Sequence, residues 1–257
     1  MQKLTFVLLA VLSFNNFNIT SAPTDNAKTQ PANDHVIIQR RRIVIVRSRE
    51  FAKQFPGRKR AVITYPLVSG LNNPALLRRV RSLLDFKNLF DYSLKEYRED
   101  GWLSDFSYIV NYNRNHLLDI TFTQSGMAAY PDEQSKHLII NLRQGRILKA
   151  ADVFNSNKLD SLAAMVDLEL QREITRIVKE NKDPVEKDAV DGVFDDLKFE
   201  ATNLDEFSVG PKGITFLYDA GFPHVIKALE PEGRYFFSYS NLKPYIKREG
   251  PLGQFVN

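Results

Sequence analysis

Between Phe106 and Phe154 the sequence alternates in twos, and that alternation narrows the architectures open to the chain. Phe106, Tyr108, Val110 and Tyr112 fall on one side of an extended segment, with Ser107, Ile109 and Asn111 on the other. Asn113-Arg114-Asn115 suits a short hairpin turn, after which Leu118, Ile120 and Phe122 stand opposite Asp119, Thr121 and Thr123. Ser125 to Asp132 then carries small residues and a proline and reads as a loop. A third run, His137 to Leu142, keeps Leu138, Ile140 and Leu142 in step. Gln144-Gly145 turns the chain into Ile147-Leu148, because glycine takes positive φ without a steric penalty. Side chains two apart share a strand face, so four such runs predict an antiparallel sheet with one covered face.

The cover is expected from two helices. Asn73-Pro74 opens the first, with Asn as N-cap and Pro at the first helical position. Leu76, Leu77, Val80, Leu83 and Leu84 then recur at helical spacing, while Arg78, Arg79 and Arg81 take the wet side. The second begins after Phe154, and its stripe runs through Leu159, Leu162, Val166, Leu170, Ile174, Ile177 and Val178 before Asp183-Pro184 ends it. Shorter helical patterns surround Leu94 and span Val190 to Leu197. Beyond them, Phe207–Val209, Ile214–Tyr218, Val225–Leu229 and Tyr235–Tyr239 read as strands, and Asn241 to Ile246 as a turn of helix. The expected fold class is α+β: an antiparallel β-sheet covered by two amphipathic helices, with a smaller C-terminal β-rich subdomain.

The ends carry different signals. Residues 1–22 have the pattern of an export signal: Lys3, an apolar run from Leu4 to Phe14, and small residues at Thr20-Ser21-Ala22, although Pro23 disfavours cleavage directly after Ala22. That run is shorter than the about 20 residues a membrane-spanning helix needs. The expectation is therefore an exported protein, periplasmic or secreted, with no transmembrane anchor after cleavage. Residues 23–60 read as a flexible leader and a basic arm. From Val36 to Arg60, nine basic residues face Glu50 alone, whereas Asp183 to Glu206 holds nine acids against Lys187 and Lys198. Arginines at 40, 41 and 42 sit inside the strand-like run Ile37 to Val46. An exposed edge strand that uses charge against aggregation accounts for them better than a nucleic-acid site, since no nucleic-acid motif follows. An anionic wall polymer or lipid headgroup is the alternative contact.

A resemblance to a known family covers about Val62 to Ile246. Its first half is carried by Tyr65-Pro66, by Asn115-His116-Leu117-Leu118-Asp119-Ile120-Thr121-Phe122, by Ala129-Tyr130-Pro131 and by Ile140-Asn141-Leu142-Arg143-Gln144-Gly145-Arg146, followed by Asp152-Val153-Phe154. The second half is carried by Phe207-Ser208-Val209, Gly213-Ile214-Thr215-Phe216 and Phe237-Ser238-Tyr239-Ser240-Asn241-Leu242-Lys243-Pro244-Tyr245. Together they resemble the bacterial envelope domain pair of PdaC-type peptidoglycan deacetylases, where it is a non-catalytic N-terminal module, and of RsiV-type lysozyme-sensing anti-sigma factors. On this likeness 61–154 is PdaC-like, 155–249 is RsiV-like and 250–257 is a tail. Tyr130 stands where many relatives carry histidine, and Phe222-Pro223-His224 replaces a different loop. The resemblance implies helices packed on antiparallel sheet and a role in the cell envelope.

Residue chemistry points to binding rather than catalysis. The absence of cysteine removes disulfides, thiolate metal sites, a cysteine nucleophile and a lipid-anchoring cysteine. His35, His116, His137 and His224 are scattered without metal-ligand spacing, and no nucleophile elbow or phosphate loop occurs, so neither a metal nor a cofactor is expected. Asp195 and Asp196 are adjacent and so point apart rather than forming an acid/base pair. Four aromatics beside prolines, Tyr65, Tyr130, Phe222 and Tyr245, offer flat faces for sugar rings, unless they plug the ends of the sheet. Asp191, Asp195 and Asp196 mark an acidic face. The expectation is a non-enzymatic module for cell-wall glycan (peptidoglycan) or an envelope protein, the alternative being a lysozyme-binding or lysozyme-inhibiting protein that uses the acidic face.

Overall fold

Backbone pairing sorts the strands into two sheets, and one neighbour pair runs in a direction the alternation does not disclose. The computed structural model describes residues 34–90, 94–99, 103–127, 131–180 and 192–257. The export pattern at 1–22, Tyr130 and Asp191 lie outside the described residues. The larger sheet has the order β1 (Ile37–Val46), β2 (Arg60–Ser69), β3 (Leu103–Arg114), β4 (Leu117–Met127), β5 (Pro131–Asn141) and β6 (Arg146–Ile147). Its neighbours are antiparallel except β2 and β3, which run parallel through the pairs Val62–Asp105 and Ile63–Phe106. The short helix α1 (Arg49–Gln54) lies in the antiparallel connection from β1 to β2, but parallel strands need a crossover instead of a tight turn, and the chain supplies one containing helices α2 (Pro74–Leu83) and α3 (Leu94–Glu99). The sheet is therefore mixed rather than antiparallel throughout. The stretch from Ile37 to Val46, placed within the basic arm and read as an exposed edge strand, is a full strand at the sheet's edge.

Two details of the central strands change which side chains go inward. The β3–β4 hairpin turns on Asn115 and His116, both left-handed at φ 55 and 59, the conformation that a two-residue turn requires. Further back, the register passes from Val110–Ile120 directly to Tyr112–Asp119, leaving Asn111 as an extra residue, a β-bulge. Phe106 and Tyr108 consequently join one hydrophobic cluster while Tyr112 joins another, although strict alternation puts all three on one face. The expected loop over 125–132 is also mostly strand: Ser125 pairs with Glu133, Gly126 with Asp132 and Met127 with Pro131. Glu133, Gln134, Ser135 and Lys136 are exposed, so this end of the ladder shows none of the apolar alternation from which a strand is read.

The buried side chains divide at β4. Leu118, Ile120 and Phe122 pack with Phe106, Ile140, Val80 of α2 and Leu84 just after that helix. Leu117 and Ile139 pack on the other side with Val153 of the short α4 (Ala150–Val153), with Leu162, Val166 and Leu170 of α5 (Leu159–Glu180), and with the smaller sheet. Both faces of β4 and β5 are thus buried along Leu117–Ile120 and Leu138–Asn141, rather than the single face expected. Asn73 caps α2 as anticipated, its Oδ1 accepting from the N–H groups of Ala75 and Leu76 at 2.9 and 3.1 Å.

The smaller sheet is antiparallel with the order β7 (Phe207–Val209), β8 (Gly213–Leu217) and β9 (Arg234–Ser238). The strand expected over Val225–Leu229 is instead a 3-10 helix, His224–Leu229, with Val225 88% exposed. Its apolar residues imitate a strand but have no ladder to join. The helix expected over 190–197 is a series of turns at 192–196, with 197 irregular and 190 and 191 outside the described residues. The final residues are integral to the second core. Leu252 and Val256 are buried, and the Phe255 ring stacks on Tyr239 with centroids 4.5 Å apart. Among the described residues no helix is long and apolar enough to cross a membrane.

Candidate functional site

Asp119 is the third residue of β4 and is fully buried. A buried carboxylate is costly unless its oxygens are satisfied, and here they collect four donors. The Asn111 side-chain amide donates at 2.7 Å and His137 Nε2 lies 2.7 Å from the same oxygen, Oδ1. Ser208 Oγ and the Val209 backbone N–H donate to Oδ2 at 2.8 and 2.7 Å. Each donor has a structural origin. Tyr112 takes the ladder position opposite Asp119, and the bulged Asn111 beside it reaches Asp119 and Thr121. His137 pairs with Thr121 in the ladder and so lies diagonally from Asp119 on the same face. Ser208 and Val209 belong to β7, so this one carboxylate joins the two sheets.

The order of these groups decides what they can do. A nucleophile relay places the base between the nucleophile and the carboxylate. Here the carboxylate lies between, with Ser208 donating to Asp119 and the imidazole held at the other oxygen. That arrangement orients His137 and ties β7 to β4 without drawing a proton from Ser208. Among the described residues, no group of three His, Asp or Glu side chains converges as a metal site.

Beside this junction, a cleft of about 610 Å³ opens between β5–β6 and the smaller sheet. His137 lines it, Ile139, Leu148 and Leu217 supply apolar surface, and Tyr218 adds a ring. Charges of both signs stand around it: Lys136, Lys149 and Arg234 on one hand, Asp205, Asp219 and Glu232 on the other. Lys149 Nζ lies 3.3 Å from Asp205, while Asp219 caps the Gly221 N–H at 2.9 Å. The hairpin wall is held from α5, where Glu173 accepts from the Glu232 N–H at 2.9 Å and from the Tyr235 hydroxyl at 2.8 Å. Burial, reinforced by that bond to Glu173, pushes the Tyr235 phenol far above its ordinary range, and burial raises Tyr218 as well. Gly233 has φ +61, and a Cβ there would meet the Tyr218 carbonyl oxygen at 1.9 Å, so glycine is required where the wall turns.

A second hollow, of about 370 Å³, lies near Arg143, Arg146, Lys247, Asp152 and Glu249. Arg146 grips Asp152 through two bonds of 2.7 and 2.8 Å, and the Lys149 N–H donates to the same carboxylate at 2.9 Å. The guanidinium is the main cause of a depressed Asp152 pKa, which burial partly opposes. A folded pKa below the unfolded one means stability that is present above the ordinary carboxylate pKa and lost as pH falls through the folded value. Urea midpoints measured from about pH 5 down to about pH 2 are expected to fall less steeply for Asp152→Asn than for the wild type. Identical slopes contradict the assignment.

The residues singled out from sequence are not brought together. Tyr65 is half-buried against the first core, its ring 6.5 Å from Phe86. Phe222 and Tyr245 are half-buried against the second, Phe222 lying 5.7 Å from Phe194, and Lys158 Nζ sitting 5.9 Å from the Tyr245 ring centre. None of these three lines the cleft. Asp195 and Asp196 are exposed on a turn beside buried Phe194. The residues that do organise the site, Asp119, His137 and Ser208, carry one readable signal: an aspartate set between Leu117-Leu118 and Ile120, where the apolar Leu117 shares its face.

A mixed six-stranded sheet and a three-stranded sheet, joined through one buried carboxylate and flanked by a charged cleft, define an α+β architecture. No protein-family model matches the sequence, and a search of curated proteins finds no significant match. Solved structures share the fold. One is a DUF3298 family member from Bacteroides fragilis, with a TM-score of 0.56, 14% identity, and coverage of 88% of this chain and 99% of that one. Another is a DUF3298 family protein from Pseudomonas aeruginosa, with a TM-score of 0.53, 14% identity, and coverage of 85% and 95%. At this identity the likeness speaks for the fold alone, and DUF3298 is a domain family without a characterised function.

Proposed function

We propose that this protein is an exported, non-catalytic binding module of the bacterial cell envelope, whose cleft beside β5 takes the peptide of peptidoglycan. The observation carrying this reading is the cleft's lining: charges of both signs around a partly apolar surface. A wall peptide presents free amines, carboxylates and methyl groups on a short backbone, and a two-signed site answers it better than it answers a neutral glycan or a polyanion. The export pattern at residues 1–22 and the resemblance to PdaC-type and RsiV-type envelope domains support the same compartment. No cofactor enters the proposal.

The test is co-sedimentation of the mature protein with purified, insoluble cell wall at low salt. The wild type is expected in the pellet, and the double variant K149E/R234E is expected to bind about tenfold more weakly, a change of about 1.4 kcal/mol. Both residues are exposed, so the urea midpoint is expected to stay within about 0.5 kcal/mol of wild type. Wild-type protein left wholly in the supernatant would end this reading.

A second reading rests on a different observation. Asp195, Asp196, Glu200 and Glu206 are all exposed within one stretch and present negative charge suited to a basic protein such as animal-type lysozyme. Lysozyme activity unchanged by a molar excess of this protein, with no co-elution at low salt, removes it.

A further inference from the structure

The outer edge of β1 is the second feature with an unspent capacity to bind. The strand is ten residues long, ends the six-stranded order and is hydrogen-bonded on one side to β2 along its length. Among the described residues, its outward N–H and C=O groups have no partner. Such an edge is a template for another strand. Arg40, Arg41 and Arg42 occupy its centre and are exposed, while Ile37, Val44 and Val46 near its ends are 52, 44 and 65% exposed. Arg40 leans over the Tyr108 ring of β3 at 5.9 Å, and Arg42 lies near Asp105 of β3, whose pKa burial raises and that guanidinium only partly opposes, so both side chains share one face of the strand.

We propose that β1 accepts an extended acidic peptide segment as a seventh strand. A second copy of this chain is the poorer occupant. Two β1 strands paired antiparallel about their centres set three arginines against three arginines, and like charges directly opposite destabilise a ladder. The same triplet attracts a run of glutamates or aspartates. The exposed apolar residues on either side give alternate side chains of the incoming strand something to pack on. The complementary sequence is therefore a short acidic run flanked by β-branched residues, held by main-chain bonds and selected by charge.

The probe is a fluorescent, end-capped peptide in which three glutamates are flanked on each side by Val-Thr-Val. Its binding to the full chain is expected to weaken with salt, and to weaken at least tenfold when alternate peptide amides are N-methylated. Methylation keeps every charge and removes the ladder donors. R40E/R41E/R42E is expected to lose binding to a similar extent, while K149E/R234E, altered in the separate cleft, binds normally. Hydrogen exchange of the wild-type β1 amides is expected to slow on peptide addition, a readout that needs no variant. Equal affinity for the methylated peptide overturns the proposal, because charge alone then accounts for binding. Unchanged β1 exchange at saturation overturns it as well, as does displacement of the peptide by phosphatidylglycerol vesicles at matched charge, which marks the arginines as a lipid-surface patch.

Discussion

Asp119→Ala is expected to lower the unfolding free energy by about 3 to 5 kcal/mol, the loss typical when one member of a buried charged network is removed. The four donors that meet this carboxylate cannot all turn to water, because Val209 N–H is a buried backbone group and His137 is mostly enclosed, its side chain 8% exposed. Each buried donor left unpaired costs about 1 to 3 kcal/mol. Asp119→Asn keeps the shape but turns one acceptor into a donor that must face another donor, so an intermediate loss is expected. Urea unfolding followed by far-ultraviolet circular dichroism measures both. A double-mutant cycle with Ser208→Ala is expected to be non-additive, since both changes break the same bond across the two sheets. A loss under about 1 kcal/mol for Asp119→Ala removes the carboxylate from the role assigned to it.

Phe216→Ala carries the second large expectation, a loss of about 3 to 5 kcal/mol. Phe216 lies on the central strand of the smaller sheet, is fully buried, and has the rings of Phe154, Phe199 and Phe237 at 5.8, 6.1 and 5.9 Å. Truncation opens a cavity among aromatic side chains that cannot close without moving β7, β9 or the segment around Phe199. Phe216→Leu, which fills most of that space, is expected to lose less. Phe236→Ala is the control: it lies on adjacent β9 but is 58% exposed, and a change within about 0.5 kcal/mol is expected in thermal or urea unfolding. Equal losses at 216 and 236 contradict the packing described.

How far the sequence disclosed this molecule depended on the range of the interaction. The stripe of α5 and the Asn73-Pro74 start of α2 are written in residues a few positions apart, and both formed where expected. The hairpin turn is equally local, but it falls on Asn115-His116 rather than on Asn113-Arg114-Asn115, because Asn113 and Arg114 stay paired with Leu118 and Leu117. The bulge at Asn111 is not, because nothing in Val110-Asn111-Tyr112 shows that Asp119 will meet Tyr112 instead of Asn111. Strand direction is also invisible to alternation, so the parallel meeting of β2 and β3 had no local sign. Period-two reasoning assigns charge to solvent and so puts Asp119 on the uncovered face. Its cover comes from Val209, 90 positions downstream. Proline beside an aromatic is likewise a local trait, whereas a cleft is assembled from remote residues, so Tyr65, Phe222 and Tyr245 stand apart from it.

Two sheets pinned at Asp119 hold open a charged cleft, and the most direct test of that cleft as the ligand site is a residue-resolved titration. Nitrogen-15 spectra of the protein recorded with increasing soluble disaccharide-peptide from cell wall are expected to shift at His137, Lys149, Asp219 and Arg234, with β1 unchanged. Shifts confined to the exposed turn at Asp195 and Asp196, or none at saturating ligand, contradict it.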